Sequence, residues 1–160
     1  MSKDKALIGA AGEYLVLSRL LSREILASLA PQGTRVADIL VNPLDKGVPL
    51  LVQVKTNVQT GSNPSWPMNI KHESATANNL FYCFVQMPPN DNPLIYVIPA
   101  KKVAEVVKNS HSDWLAGQGK KGQARKDTDM RHIKNKYSHK VKGAPDGWMD
   151  KYLEDWTPFE

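Results

Sequence analysis

Cysteine is almost missing from this chain. Cys83 is the single one in 160 residues, which excludes an internal disulfide and any zinc cluster built on cysteine. It lies in the apolar run from Leu80 to Met87 and reads as buried packing. Long apolar runs are also missing, since none reaches the roughly 18 residues that span a bilayer. The start, Met1-Ser2-Lys3-Asp4-Lys5, leads into a patterned helix and not a signal-peptide core, so a cytoplasmic protein with no membrane partner is expected. No internal repeat is present.

Acidic residues are scarce where basic ones gather. Between Lys120 and Lys142 nine Lys or Arg face only Asp127 and Asp129, a local balance of +7. The whole chain carries +5 with a pI near 9.3, so the remainder is slightly acidic and the positive excess belongs to one segment. That excess suggests a polyanionic partner. With 41% hydrophobic and 23% charged residues, the composition is that of one soluble domain with a sizeable core.

Two short apolar, β-branched runs organise the reading: 35–41 (Arg-Val-Ala-Asp-Ile-Leu-Val) and 50–56 (Leu-Leu-Val-Gln-Val-Lys-Thr). The connector 42–49 holds the Pro, Asp and Gly that turns favour, so the runs are predicted to form an antiparallel hairpin. A turn centred between Asp45 and Lys46 sets Asp38 opposite Gln53. Strand side chains alternate faces, so Gln53 and Lys55 then share a face with Asp38. A carboxylate, an amide and a lysine on otherwise apolar strands are costly to bury without partners or a task. The plain alternative is a cross-strand ion pair of Asp38 with Lys55, capped by Gln53.

Upstream, Lys5 to about Ser22 has apolar residues at helical spacing, with Gly9 and Gly12 inside it. Two helix glycines cost about 1 kcal/mol each against alanine, so close approach to a sheet or ligand is expected there. Glu13 follows Gly12 and has no helical ion-pair partner three or four residues away, which sets it on or beside the buried face unless it lies at the helix edge in solvent. The stretch 24–30 alternates as a strand, with a continued helix to Leu29 as the other reading. Residues 57–79 read as a long polar loop, interrupted by Gly61, Pro64 and Pro67, whose histidine, His72, is expected to be solvated rather than part of a site.

Strands are predicted at 80–86 and 94–98, the first apolar enough to be covered on both faces, then a short helix over 100–108. The order describes an α+β domain around one mixed sheet. From Gly143 the charge turns acidic, and Trp148, Tyr152 and Trp156 recur every four residues. That spacing predicts a terminal helix with an aromatic stripe, packed on the domain or offered to a partner. The division expected is a core at 1–112 and, packed on it, a basic segment and acidic aromatic helix at 113–160.

A hard divalent cation wants oxygen ligands, which Asp38, the Gln53 amide and a strand carbonyl supply. Lys55 would orient or deprotonate the attacking water, or steady charge building on a phosphate. Gly12-Glu13 in a first helix, Ala37-Asp38 on a strand and Gln53-Val54-Lys55-Thr56 fifteen residues on together resemble the PD-(D/E)xK nuclease superfamily. The likeness covers residues 6–56 and is nearest the Gln-x-Lys branches, such as Mrr-type restriction nucleases. It implies a restriction-endonuclease-like core, α-β-β-β-α-β, with Mg²⁺ or Mn²⁺ held by Asp38 and Gln53, Lys55 catalytic, and Glu13 the helix-borne acid that joins the metal set. It also implies a Mg²⁺-dependent endonuclease acting on DNA, and proteins of this kind often work as homodimers. Gln53 replaces the usual acid and removes one negative charge, which keeps a second reading open: a catalytically silent module that binds nucleic acid or protein. A structural or assembly protein using the aromatic stripe is a third. Backbone contact with nucleic acid is expected through Lys120, Lys121, Arg125, Lys126, Arg131, Lys134 and Lys136.

Overall fold

The computed structural model describes residues 4–43 and 47–160. It opens with α1 (Lys5–Leu21), whose first turn is capped by the Asp4 carboxylate accepting the Ala6 and Leu7 N–H groups. The chain continues through β1 (Ala27–Leu29), β2 (Ile39–Val41), β3 (Leu50–Asn57), β4 (Ser65–Asn69), a 3₁₀ turn (Ile70–Glu73), β5 (Leu80–Gln86), β6 (Leu94–Pro99), α2 (Ala100–Ala116) and β7 (Met130–Lys134). Two further 3₁₀ turns, Asp150–Tyr152 and Thr157–Phe159, close it.

Five strands make one sheet in the order β1-β2-β3-β5-β6. β3 and β5 run parallel and the other neighbours antiparallel, so the fold is α+β around a mixed central sheet, as expected. Ile39 lies opposite Val52 and Val41 opposite Leu50, the register expected for the hairpin. The turn between Asp45 and Lys46 falls outside the described residues. The first strand is shorter than its apolar run suggested: residues 35–38 precede β2, and Val36 is exposed. β1 is likewise trimmed to three residues, and the helix does not continue into it. At Glu24 the backbone takes a positive φ of 60°, which ends helical geometry.

Alternation along the strands divides the core in two. On one face α1 lays Val16 and Leu20 against Ile39, Val41, Val52, Phe81, Cys83, Val85, Ile95 and Val97. On the other, α2 sets Val103, Val106 and Val107 against Tyr82, Phe84, Tyr96 and Ile98, joined by Trp66 and Ile133. β5 is buried along its whole length between these layers, which is why its sequence is apolar throughout. Burial also pushes the Cys83 thiol well above its ordinary value, so it packs as a small apolar side chain.

The stretch 57–79 is not an irregular loop. β4 lies in it and pairs antiparallel with β7 as a two-stranded ribbon over the α2 face. Trp66 is fully buried there, its indole N–H donating to the Val85 carbonyl at 3.1 Å. The parallel crossover from β3 to β5 is therefore carried by β4 and a 3₁₀ turn, where the resemblance suggested an α-helix. α2 runs to Ala116, eight residues past the expected end, and so crosses the 112/113 division. No helix among the described residues is long and apolar enough to cross a membrane.

The C-terminal helix does not form. Gly147 adopts a φ of 78° and Glu154 one of 50°, both incompatible with a continuous helix. The segment instead wraps the β6 edge, with Glu154 N–H donating to the Ile95 carbonyl at 2.8 Å. Trp148 ends on the α2 side of the sheet and Trp156 on the α1 side, so the aromatics pack the domain but make no common stripe.

Candidate active site

The site forms where β2 stops and β3 continues. Asp38 donates its N–H to the Val52 carbonyl and accepts the Ala30 N–H at its own carbonyl, both at 2.8 Å, so it is held just before β2 begins. One step beyond the Ile39–Val52 pair, the register brings Asp38 beside Gln53. The strand no longer reaches Val54, and the Asp38 carboxylate takes over: Oδ2 accepts the Val54 N–H at 2.7 Å. A side chain thus completes the edge of β3, leaving the other carboxylate oxygen unused by that bond.

Gln53 and Lys55 project to the face opposite Val52 and Val54, away from α1. Both are partly buried, and the alternative of an Asp38–Lys55 ion pair is not formed: among the described residues no contact of 4 Å or less joins them, and the Gln53 amide has no hydrogen-bond partner. Asp38 still acts on Lys55 at longer range. Burial pushes the Lys55 amine below its ordinary 10.5 against the opposing pull of Asp38, and Lys71 adds to the downward push.

Glu13 approaches Asp38 from α1, on the sheet face from which Gln53 and Lys55 point away. Burial raises its carboxyl above the ordinary value and the Asp38 charge raises it further, which sets two carboxylates within electrostatic reach of each other. Gly12 is what lets the helix come this close. A Cβ there would overlap the Thr56 hydroxyl and sit 3.0 Å from Thr56 Cβ and Cγ2. Gly12→Ala should therefore destabilise the fold by about 1–3 kcal/mol through overpacking. The Thr56 hydroxyl is buried without a hydrogen-bond partner among the described residues, so Thr56→Ala loses no hydrogen bond and should recover part of that loss in the double variant. Urea denaturation of the four proteins measures the coupling, and strictly additive costs would contradict this contact.

The sequence reading missed the floor of the site. His72 is buried, not solvated, and shares a 2.7 Å hydrogen bond between Nδ1 and the Tyr82 hydroxyl. With Arg35, Lys71, Gln53 and Tyr82 it lines a small cleft of about 180 Å³. Burial first, then the charges of Lys55 and Lys71, bring its pKa from 6.5 down to about 4. Between those values the unfolded chain binds a proton that the folded protein refuses, so the stability contributed by neutral His72 is complete above pH 6.5 and lost as pH falls toward 4. The loss should be about 3 kcal/mol. His72→Phe should flatten the fall between pH 7 and pH 4.5 in urea denaturation; an unchanged pH profile would show that His72 is not the group refusing the proton.

Two carboxylates and an amide oxygen are a hard-oxygen donor set that suits Mg²⁺ or Mn²⁺. Among the described residues no three His, Cys, Asp or Glu gather as a metal cluster, so the fit depends on the Gln53 oxygen.

The seven basic residues expected to meet nucleic acid divide sharply. Lys120, Lys121 and Lys126 are exposed and have no ion-pair partner among the described residues. Lys136 is exposed but paired with Asp146 at 2.9 Å, and Lys134 is half-buried on β7. Arg125 is bound to the Trp114 carbonyl and lies over its ring. Arg131 is not on the surface: it is buried on β7, with Nε on Glu73 at 2.6 Å and a second nitrogen on the Thr128 carbonyl. A count of charges along the sequence does not reveal which of them the fold has paired.

No family model and no curated protein matches this chain. Among solved structures, the bacterial homing endonuclease I-Ssp6803I superposes over 98% of this chain and 91% of its own, with a TM-score of 0.54 and 17% identity. The chain shares that endonuclease's fold. Hjc, a Holliday junction resolvase from Archaeoglobus fulgidus, superposes less closely, with a TM-score of 0.44 and 11% identity over 78% of this chain and 82% of its own.

Proposed function

We propose that this protein is a metal-dependent endonuclease acting on DNA, with Asp38, Gln53 and Glu13 holding Mg²⁺ or Mn²⁺ and Lys55 serving the reaction. The observation that supports this reading is the Asp38 carboxylate at the break between β2 and β3, beside Gln53 in register and within electrostatic reach of both Glu13 and Lys55, in a fold shared with a homing endonuclease. A divalent ion, when bound, supplies positive charge for the phosphodiester. Lys55, its amine lowered by burial, deprotonates more readily than a solvated lysine and is suited to draw a proton from the attacking water or to steady the developing phosphorane charge. Neutral His72 and the Tyr82 hydroxyl form a fixed polar floor that adds no further charge beside it.

Supercoiled plasmid is nicked by this protein in Mg²⁺ or Mn²⁺ and left intact in EDTA if the reading is right. Lys55→Ala removes the activity, and nicking that survives the substitution would belong to a contaminant. A second reading, a silent module that binds nucleic acid without cutting it, is favoured by Gln53 standing where an acid would complete a third carboxylate. Binding with no nicking under any divalent ion decides for it.

DNA affinity in either reading comes from the exposed lysines. Replacing Lys120, Lys121 and Lys126 with Gln should lower affinity and reduce the slope of log affinity against log salt by about 2 to 3, near one per lost phosphate contact. A titration series in rising NaCl reads the slope, and an unchanged value would remove these lysines from the interface.

A further inference from the structure

A second cleft, of about 380 Å³, opens between α2 and β7, apart from the carboxylates at the β2–β3 break. Its size is at the lower end of ligand pockets, roughly 300–1,000 Å³. Three of the chain's four histidines line it, with Trp114, Met130, Lys134 and Tyr137. The rings come in two pairs. His111 and Trp114 stack on α2 at 5.6 Å and 29°, and Tyr137 and His139 lie 5.8 Å apart on the segment after β7. Hydrogen bonding from His139 Nε2 to the Ser110 carbonyl, at 3.2 Å, ties that segment to the helix.

The histidines are not a metal set. Each has one ring nitrogen engaged by the protein: His111 on Asp127 at 2.7 Å, His132 on Ser65 at 3.2 Å and His139 on Ser110. The second nitrogen of each remains for a hydrogen-bonding ligand. Arg131 in the cleft wall is answered by Glu73 and by Asp127, which also holds His111, whereas Lys134 has no ion-pair partner among the described residues and is the cation left for a ligand. Trp114 and Met130 leave apolar surface exposed at the wall, 37% and 62% respectively, although Arg125 lies over part of the Trp114 ring at 4.8 Å.

Flat aromatic walls, ring nitrogens able to hydrogen-bond and one free cation match a base carrying a phosphate. We propose that this cleft takes one unstacked nucleotide of a single strand, the base against the ring-lined wall and the phosphate toward Lys134. The site goes beyond the cleavage reading and stands without it, because it shares no residue with the candidate active site. Exposed Lys120, Lys121 and Lys126 lie on the chain between the two elements that form it.

Trp114 reports on the cleft directly, since Trp66, Trp148 and Trp156 are all buried. The test uses the full chain carrying Asp38→Asn in EDTA, so that cleavage is suppressed, titrated with a thymidine octamer, with thymidine monophosphate and with a blunt duplex. The octamer is expected to quench tryptophan emission, and the duplex to bind without quenching. Trp114→Leu should abolish the quench and weaken octamer binding, read by anisotropy of a labelled octamer, about tenfold. Lys134→Gln should weaken the octamer while keeping the quench at saturation. Equal octamer affinity with and without Trp114, or equal quenching by the duplex, would overturn the site. Quenching by the monophosphate at concentrations where the octamer has no effect would overturn its assignment to a strand. Because no residue of this cleft belongs to the candidate active site, failure here leaves the nuclease reading untouched.

Discussion

Asp38→Asn is expected to lower metal-dependent cleavage by about a hundredfold to a thousandfold while leaving the fold in place. The two halves of that expectation have separate causes. Asn keeps a side-chain oxygen that can accept the Val54 N–H, so the β3 edge stays closed and stability should change by no more than about 0.5 kcal/mol. The negative charge, however, is gone. A divalent ion would then rely on Glu13 and the neutral Gln53 amide, and Lys55 would lose the charge that opposes the lowering of its pKa. Asp38→Ala is the less informative variant, since it also leaves the Val54 N–H without its acceptor. Single-turnover cleavage rates beside a urea denaturation curve distinguish loss of chemistry from loss of fold.

Arg131→Ala should be the most damaging single change on the basic segment, at about 3–5 kcal/mol. The side chain is 3% exposed and its Nε–Glu73 bond at 2.6 Å pins β7 to the 3₁₀ turn that carries His72. Removing it leaves the Glu73 carboxylate partly buried without its cation and the Thr128 carbonyl without its donor. Lys120→Ala, by contrast, should stay within about 0.5 kcal/mol. Equal destabilisation by the two in urea would contradict the buried pairing.

The sequence was most legible where one physical pattern acted alone. Period-two alternation and the turn residues were enough to place Ile39 against Val52, and with it Asp38 beside Gln53. Gly12 beside Glu13 signalled a close approach, and Thr56 is what it approaches. Where patterns conflicted, the reading failed. Ser65 to Asn69 alternates as a strand should, but Pro67 in its middle argued against one; it is tolerated because β4 belongs to a two-stranded ribbon and Pro67 faces out. With β4 hidden, His72 looked solvated. The aromatic spacing of four pointed to a helix because spacing alone does not register the turn residues within it, and the edge of β6 offered the segment a better partner than itself. Charge counting along 120–142 overlooked that Glu73, distant in sequence, neutralises Arg131.

The central claim is that Glu13, Asp38 and Gln53 hold one divalent ion. Electron paramagnetic resonance of Mn²⁺ titrated into the protein tests it most directly. One bound Mn²⁺ per chain, lost in Asp38→Asn and weakened in Gln53→Ala, is the predicted result; no bound ion, or binding unchanged by Asp38→Asn, would contradict it.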